Sequence, residues 1–174
     1  MAKFAVFVLL CFCAMFAAAL FGAVHNQISF TVGASYFYDV KFAQFEIHPS
    51  AQNRIGASIV GALASWWMGL FMGMPAFLFG LFTQPGRRRY FYAGMKAIMV
   101  AISVTAICSF VGLAFAHIAD INTLVSYLPS LDAFSNPEGF VRAAILHDAS
   151  YFGGLIGACA ALYVMWRERT PREN

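Results

Sequence analysis

Hydrophobic residues fall into four long runs along the chain, and each run is almost free of charged side chains. The second run, residues 55–82, has no charged residue, and as a helix it would extend roughly 42 Å, beyond the ~30 Å hydrocarbon core of a bilayer. The pattern predicts one domain, residues 1–174, with four membrane-spanning helices. The predicted spans are 4–24, 55–82, 90–118 and 145–166, joined by outer loops 25–54 and 119–144 and an inner turn 83–89.

Small residues recur at every fourth position within these runs. A stripe of this kind lets another transmembrane helix approach closely. The stripes consist of Ala14, Ala18 and Gly22; Ala57, Gly61, Ser65, Gly69 and Gly73; Ala93, Ala97, Ala101, Thr105 and Ser109; and Gly153, Gly157 and Ala161. We therefore expect an all-α membrane protein in which four transmembrane helices form an antiparallel bundle with a structured extracytoplasmic cap.

The first run follows Lys3, and a basic start before an apolar stretch is also typical of a signal peptide. This run is ~20 residues long, whereas the apolar part of a signal peptide has roughly 7–15 residues. A segment that is cleaved would not need the small-residue stripe. We favour a retained first span over a cleaved signal peptide.

The first outer loop is rich in aromatic residues. Ile28, Phe30 and Val32 alternate with polar residues, which favours a short strand or hairpin. The following aromatic residues are expected to form an ordered cap at the lipid headgroups; they are Tyr36, Phe37, Tyr38, Phe42 and Phe45. In the second outer loop, the sequence Asn136-Pro137-Glu138 predicts a helix start that lies before the fourth span.

Composition and charge support the membrane class. The chain is 61% hydrophobic and 11% charged, where a soluble domain has about 25% charged residues. The positive-inside rule places both termini in the cytoplasm. One side carries Lys3, Arg87, Arg88, Arg89, Arg167, Arg169 and Arg172, and the other carries Lys41, Arg54 and Arg142. The net charge of +3 is too small and too scattered to indicate nucleic-acid binding.

The histidines all fall on the predicted outer side, where the ends of the helices would meet. His25, His117 and His147 with Asp120 would form a candidate set for zinc, copper or iron, because imidazole and carboxylate are common metal ligands. Two facing histidines would instead ligate a haem. His117 and Asp120 are three residues apart, which predicts a shared helical face.

No compact metal-binding motif is present, so two further interpretations stay open. Polar residues accumulate at helix ends because water and headgroups lie there, and the outer mouth of the bundle could instead hold a small molecule or a lipid headgroup. Tyr151 shares a helical face with His147. The further candidates for such a pocket are Asp148, Tyr36 and Lys41.

Three stretches of the chain carry a resemblance to known proteins. They are VHNQISFTVGASYFYDVKFAQF from Val24, IGASIVGALASWWMGL from Ile55 and LHDASYFGGLIG from Leu146. They resemble a family of small, uncharacterised bacterial integral membrane proteins with four spans, whose patterns are VHDQ…SPEYF…KF.QF, ATWWxGL and HNxSYLGG. This chain has Ser35 where the pattern has an acid, and Asp148 where it has Asn. The resemblance implies the bacterial inner membrane as the location and no particular activity.

The sequence thus predicts a non-catalytic inner-membrane protein with a ligand-binding or metal-binding pocket at the extracytoplasmic mouth of the bundle. His25, His147 and Tyr151 would lie at its centre. One alternative is an accessory or assembly subunit of a larger membrane complex, or a homo-oligomer, because the small-residue stripes could also dock partner helices. The other is an outer-facing enzyme that depends on a metal or a haem.

Overall fold

The computed structural model describes residues 2–127, 130 and 133–169. Four helices in it are long and apolar enough to cross a membrane, so the chain has the architecture of a multi-pass membrane protein. The described residues contain no β-strand. The elements are α1 (Lys3–Val32), a π-helix (Tyr36–Lys41), α2 (Phe42–Gln44), a 3-10 helix (Pro49–Ala51), α3 (Arg54–Thr83), α4 (Arg87–Ile118), α5 (Ile121–Ser126) and α6 (Pro137–Arg167).

The sequence pattern located most helix boundaries within a few residues. The predicted start of the last helix is confirmed, because the Asn136 side chain accepts a hydrogen bond from the backbone N–H of Gly139 and Pro137 is the first helical residue. Helix α3 continues through Pro75 to Thr83. Of the basic residues that suggested the topology, Arg172 lies outside the described residues.

The strand or hairpin predicted from Ile28, Phe30 and Val32 is wrong, since α1 continues as a helix to Val32. Three polar residues in and just before this stretch, Asn26, Gln27 and Ser29, bond to neighbouring helices, whereas Thr31 is exposed. Asn26 Nδ2 donates to the carbonyl of Ala57 at 2.9 Å, and Gln27 Nε2 donates to Ser58 Oγ at 2.8 Å. These hydrogen bonds to α3 satisfy the polar side chains of Asn26 and Gln27 inside the helix bundle. The alternation of apolar and polar residues therefore does not mark a half-exposed strand.

Helix α1 packs most extensively against α3, and the predicted small-residue stripes form the seam. A methyl group added at Gly61 would overlap the backbone carbonyl of Gly22, and one added at Gly69 would overlap the carbonyl of Ala14. Later residues of α1 therefore meet earlier residues of α3. The backbones approach so closely that only glycine fits at these positions.

Helix α4 pairs with α6 in the same way. A methyl group at Gly112 would overlap the side chain of Ala149, and one at Gly157 would press on the backbone of Ala101. The stripes predicted in the third and fourth runs thus form a second seam. The four long helices are organised as two tightly packed pairs, α1/α3 and α4/α6.

The two pairs pack together through apolar side chains at one end of the molecule, which we call the arginine end because it contains Arg87–Arg89. Gly80 of α3 packs on Met165 of α6, and Gly94 of α4 packs on Leu10 of α1. Gln84 Nε2 also donates to the carbonyl of Met165 at 3.2 Å. The buried hydrophobic residues here include Leu10, Cys11, Ala14, Ala76, Phe77, Tyr90, Ala93, Ala97, Ile98, Ala161 and Met165.

The opposite end, which we call the histidine end, contains His25 and His147. Here Gly33, directly after α1, lies against the backbone of Gly139 in α6. A second buried cluster forms around the π-helix and consists of Tyr36, Phe37, Phe42, Ile47, Ala57, Val60 and Ala143. Three of the five aromatic residues expected at the headgroups are therefore buried inside the protein, whereas Tyr38 is exposed.

A candidate ligand-binding cavity

A cavity of about 350 Å³ lies between the two helix pairs, flanked by the two buried clusters. All four long helices contribute to its wall. Towards the arginine end it is bounded by the buried residues Ala14, Phe77, Ala97 and Ala161. Its central wall is mostly apolar and includes Phe21, Leu63, Trp67, Met68, Met72, Ile98 and Ile102.

The polar lining residues concentrate at the histidine end. They come from α1, α6 and the segment between α1 and α3, which the aromatic cluster holds in place. These residues are His25, Asn26, Tyr36, Lys41, Gln44, His147, Ser150 and Tyr151, and two further hydroxyl residues of the wall, Ser65 and Thr105, lie on α3 and α4. The cavity is therefore amphipathic, with one polar end and an apolar body.

Two histidines from different helix pairs meet at this polar end. The rings of His25 and His147 have centroids 4.9 Å apart at an interplanar angle of 74°. Both side chains are buried, with 6% and 8% of their surface exposed. His147 Nε2 shares a hydrogen bond of 2.9 Å with Ser29 Oγ. His25 Nε2 has no hydrogen-bond partner among the described residues.

A stack of side chains continues from His147 towards the surface. The Tyr36 ring lies parallel to the His147 ring, with centroids 4.7 Å apart. Lys41 Nζ lies 5.2 Å from the centre of the Tyr36 ring and donates to Gln44 Oε1 at 2.9 Å. The Lys41 amine therefore lies beside the stacked rings of Tyr36 and His147.

Two of these polar residues, Tyr36 and Lys41, lie outside the long helices, and their surroundings shift the pKa of each side chain. Burial, with smaller effects from the Tyr151 phenol and the Asp148 carboxylate, raises the pKa of Tyr36, so its hydroxyl stays a neutral donor. Burial also lowers the pKa of Lys41 from its ordinary 10.5, because the apolar surroundings disfavour the charged amine.

The other predicted pocket residues have different positions. Tyr151 lines the cavity and is half exposed, with its ring centroid 6.5 Å from that of His147. Asp148 is exposed and is not part of the cavity wall. The structure therefore brings together five of the eight predicted site residues, namely His25, His147, Tyr151, Tyr36 and Lys41.

His117 and Asp120 lie away from this site, and the prediction that they share a helical face is wrong. Helix α4 ends at Ile118, so Asp120 belongs to the next element. Its carboxylate caps α5 and accepts hydrogen bonds from the hydroxyl and the backbone N–H of Thr123, which lower its pKa. His117 is exposed, and its Nδ1 contacts the carbonyl of its own helix at Leu113.

The proposed set of four metal ligands is not assembled. Over the described part of the chain, no group of three or more His, Cys, Asp or Glu side chains is placed to hold a metal ion. A haem does not fit between the paired histidines either, because their rings are in direct contact and leave no room for a porphyrin. His147 Nε2 is also engaged by Ser29.

Sequence reasoning missed two polar residues near the histidine pair, Ser29 and Asn26. Both had been assigned to a loop, although Ser29 follows His25 by four residues and therefore shares its helical face. A helical period continued through Val32 would have identified Ser29. Gln44 was missed because its position depends on the π-helix before it, which has no signal in the hydrophobic pattern.

No family model matches this sequence, and comparisons with curated proteins and with solved structures found no match. The resemblance to the bacterial four-span family therefore stays a prediction.

Proposed function

We propose that the protein is a non-catalytic, multi-pass protein of the bacterial inner membrane that binds a small molecule in the cavity between its two helix pairs. The polar part of that molecule would contact His25, Tyr36 and Lys41. The observation that carries this proposal is the buried side chain of His25 in the cavity wall, whose Nε2 has no hydrogen-bond partner in the part of the chain that the structure describes.

A buried polar atom without a partner is costly. Leaving such a group unsatisfied costs about 1–3 kcal/mol, and proteins seldom retain it without a reason. The neighbouring His147 shows the usual solution, because Ser29 occupies its Nε2. A ligand that bonds to His25 Nε2 would remove the penalty and would gain affinity from it.

The cavity itself supports small-molecule binding. Its volume falls within the range of ligand pockets, which are largely apolar with a few convergent polar groups. Both helix pairs contribute to it, so a bound molecule would also link α1/α3 to α4/α6. This link would stabilise the region where the two pairs make few direct contacts.

We further propose an antiparallel bundle with both termini in the cytoplasm and with the histidine end on the extracytoplasmic side as a structured cap. The reversed residue order of the contacts between α1 and α3 supports the antiparallel arrangement. The positive-inside rule supports the orientation, because Arg87–Arg89 lie at the arginine end. The tight seam on α3 supports retention of α1 as a span.

The proposal of an accessory or assembly subunit now has less support. It relied on small-residue stripes that could dock partner helices, and those stripes are used within the chain by the two seams. The proposal of a metal-dependent or haem-dependent enzyme is weaker because the predicted ligands are not gathered. Binding of a small molecule requires neither free small-residue stripes nor a set of metal ligands.

The test is native mass spectrometry of the protein released gently from detergent or nanodiscs. We expect wild-type protein to carry an additional bound mass. Gly154 lines the cavity, and a methyl group added there meets no neighbour among the described residues, so a leucine at this position should occupy part of the cavity and remove that mass. The matched control is Gly86→Leu, also in open space but at the arginine end, which should keep the mass.

Two outcomes would overturn the proposal. One is a bare polypeptide mass for wild-type protein under conditions that preserve non-covalent lipid adducts of other membrane proteins. The other is an equal bound mass in Gly154→Leu. Elemental analysis and a visible spectrum of the same sample test the enzyme alternative, which predicts a stoichiometric metal or a haem band that disappears in His147→Ala.

A further inference from the structure

The cavity is long and narrow. Its lining residues on α3 run from Val60 to Phe77, which are 17 residues apart and therefore ~26 Å apart along a helix. A volume of about 350 Å³ distributed over such a length is narrow. A long aliphatic or isoprenoid chain fits this space better than a compact ring system does.

The charged lining residue at the polar end is a cation. Among the described residues that line the cavity, Lys41 is the one with a permanent charge, and none is an aspartate or a glutamate. The neighbouring polar groups include hydroxyl donors on Tyr36 and Tyr151 and the unpartnered Nε2 of His25. The Asp148 carboxylate acts on Tyr36 from outside the wall. Within the wall, a cation and neutral donors complement an anionic head group.

The cavity also reaches the surface of the helix bundle. Leu63 and Trp67 of α3 and Tyr151 of α6 belong to its wall and are each about half exposed, at 47%, 48% and 50%. A methyl group added at Gly154 of α6 would meet no neighbour among the described residues. Helices α3 and α6 are in contact at the arginine end through Gly80 and Met165, so the opening lies nearer the histidine end. On helices that span a membrane, this opening faces lipid.

We infer that the cavity takes a single-chain anionic amphiphile from the bilayer, with a carboxylate or phosphate head between Lys41 and His25 and its chain along the apolar wall. This inference rests on the proposed function and specifies the chemical class of its ligand. The carboxylate would come from a long-chain fatty acid and the phosphate from a lipid monophosphate. Both offer the oxygen acceptors that Lys41 and the tyrosine hydroxyls require.

The chain's tryptophans provide a matched pair of probes. Trp67 lines the cavity, whereas its neighbour Trp66 is equally exposed and is not part of the wall. The chain has three tryptophans, so the double variant Trp66→Phe/Trp166→Phe retains Trp67 alone, and Trp67→Phe/Trp166→Phe retains Trp66 alone. Bromine atoms on a lipid chain quench tryptophan fluorescence only at short range.

Each single-tryptophan protein would be titrated in nanodiscs with dibromostearate, with dibromostearyl phosphate and with the neutral dibromostearyl alcohol. We expect the two anions to quench Trp67 saturably at low mole fraction, and Trp66 only in proportion to their content in the bilayer. The alcohol should bind about tenfold more weakly or worse. The anion that binds more tightly identifies the source of the head group.

Substitutions at Lys41 test the role of charge. Lys41→Met should weaken anion binding about tenfold and leave binding of the alcohol unchanged, whereas Lys41→Arg should stay within about threefold of wild type. Equal thermal unfolding of the variants would show that the fold is kept.

Equal binding of the alcohol and the anions would overturn this inference and leave the proposed function intact. Absence of saturable quenching of Trp67 by any of the three probes would also overturn it. The proposed function falls with it only if wild-type protein also lacks a bound mass by native mass spectrometry.

Discussion

The seams within the helix pairs and the space between the pairs use similar residues in opposite ways. In the α1/α3 seam, Gly61 lies so close to Gly22 that no methyl group fits. On the cavity wall, Gly154 of α6 has no neighbour within reach of an added methyl group. One glycine permits contact between two backbones, and the other leaves room for something that is not part of the chain.

This difference shows that the structural role of a small residue in a membrane helix depends on which residue faces it. Within a pair, small residues alternate along both helices and interlock over many turns. On the cavity wall between the pairs, by contrast, Gly154 faces no complementary residue in the part of the chain that the structure describes. The resulting gap lies beside the one buried pair of histidines and beside Lys41, so it is polar at one end.

The comparison predicts its largest effect at the seam. Gly61→Ala should destabilise the protein by roughly 3 kcal/mol or more, because a methyl group forced onto the backbone of Gly22 must separate α1 from α3. The matched change Gly154→Ala should alter stability by less than about 1 kcal/mol. Unfolding in mixed detergent micelles measures both. Similar losses in the two variants would remove the distinction between seam and cavity.

A smaller effect is expected where the helix pairs touch through polar groups. Ser29→Ala should cost about 1–2 kcal/mol, because it leaves His147 Nε2 buried without its partner. The control is Ser109→Ala, a buried serine whose hydroxyl bonds only to the carbonyl of Thr105 in its own helix. That control should change stability by less than about 0.5 kcal/mol. If Ser29→Ala leaves the free energy of unfolding unchanged, the contact between Ser29 and His147 contributes nothing to stability.

Binding in the cavity should depend on pH through Lys41. Burial places its folded-state pKa below 10.5, so the amine loses its charge as the pH rises through that lowered value. Affinity for an anionic amphiphile should therefore fall as the pH rises through that lowered value, by up to the roughly tenfold loss expected for Lys41→Met.

Tyr36 will not contribute to this fall, because its raised pKa keeps it protonated over the same range. The groups around the amine are the Tyr36 ring, Gln44 and, on α6, His147 and the exposed Asp148. Titrating the quenching of Trp67 against pH measures the effect. Lys41→Met should give a flat profile, and a persistent fall in that variant would assign the dependence to another group.

The smallest effect is expected at the surface of the α4/α6 pair. Lys96 Nζ and Glu168 Oε1 are 2.6 Å apart but exposed, so Glu168→Gln should cost less than about 0.5 kcal/mol. The hydrogen bond from Lys96 lowers the Glu168 pKa below 4.5, so this contribution is present above pH 4.5 and is lost as the pH falls through the lowered value. Thermal unfolding of both proteins at pH 7 and in acid checks the sign. A larger difference in acid than at pH 7 would contradict it.

The hydrophobic pattern was sufficient to predict the four long helices and the small-residue faces through which they pack, because four-residue spacing of small residues is typical of close helix packing. It did not show which helices form pairs. It could not show how the two pairs are placed, since nothing in the spacing of Trp67 or Ile102 states that they border empty space. His25 and His147 were predicted to meet because both lie near helix ends on one side. His117 obeys the same rule but lies elsewhere, because a shared depth does not fix a shared face.

The most direct test of the account is a crystal structure of the protein soaked with dibromostearate, with bromine located by its anomalous scattering. The account predicts bromine peaks between the helix pairs, within contact distance of Met68 and Ile102. Its head group should lie near Lys41 and His25. Bromine found only on the outer surface, with the side chains of Met68 and Ile102 closed upon each other, would contradict the existence of a binding cavity.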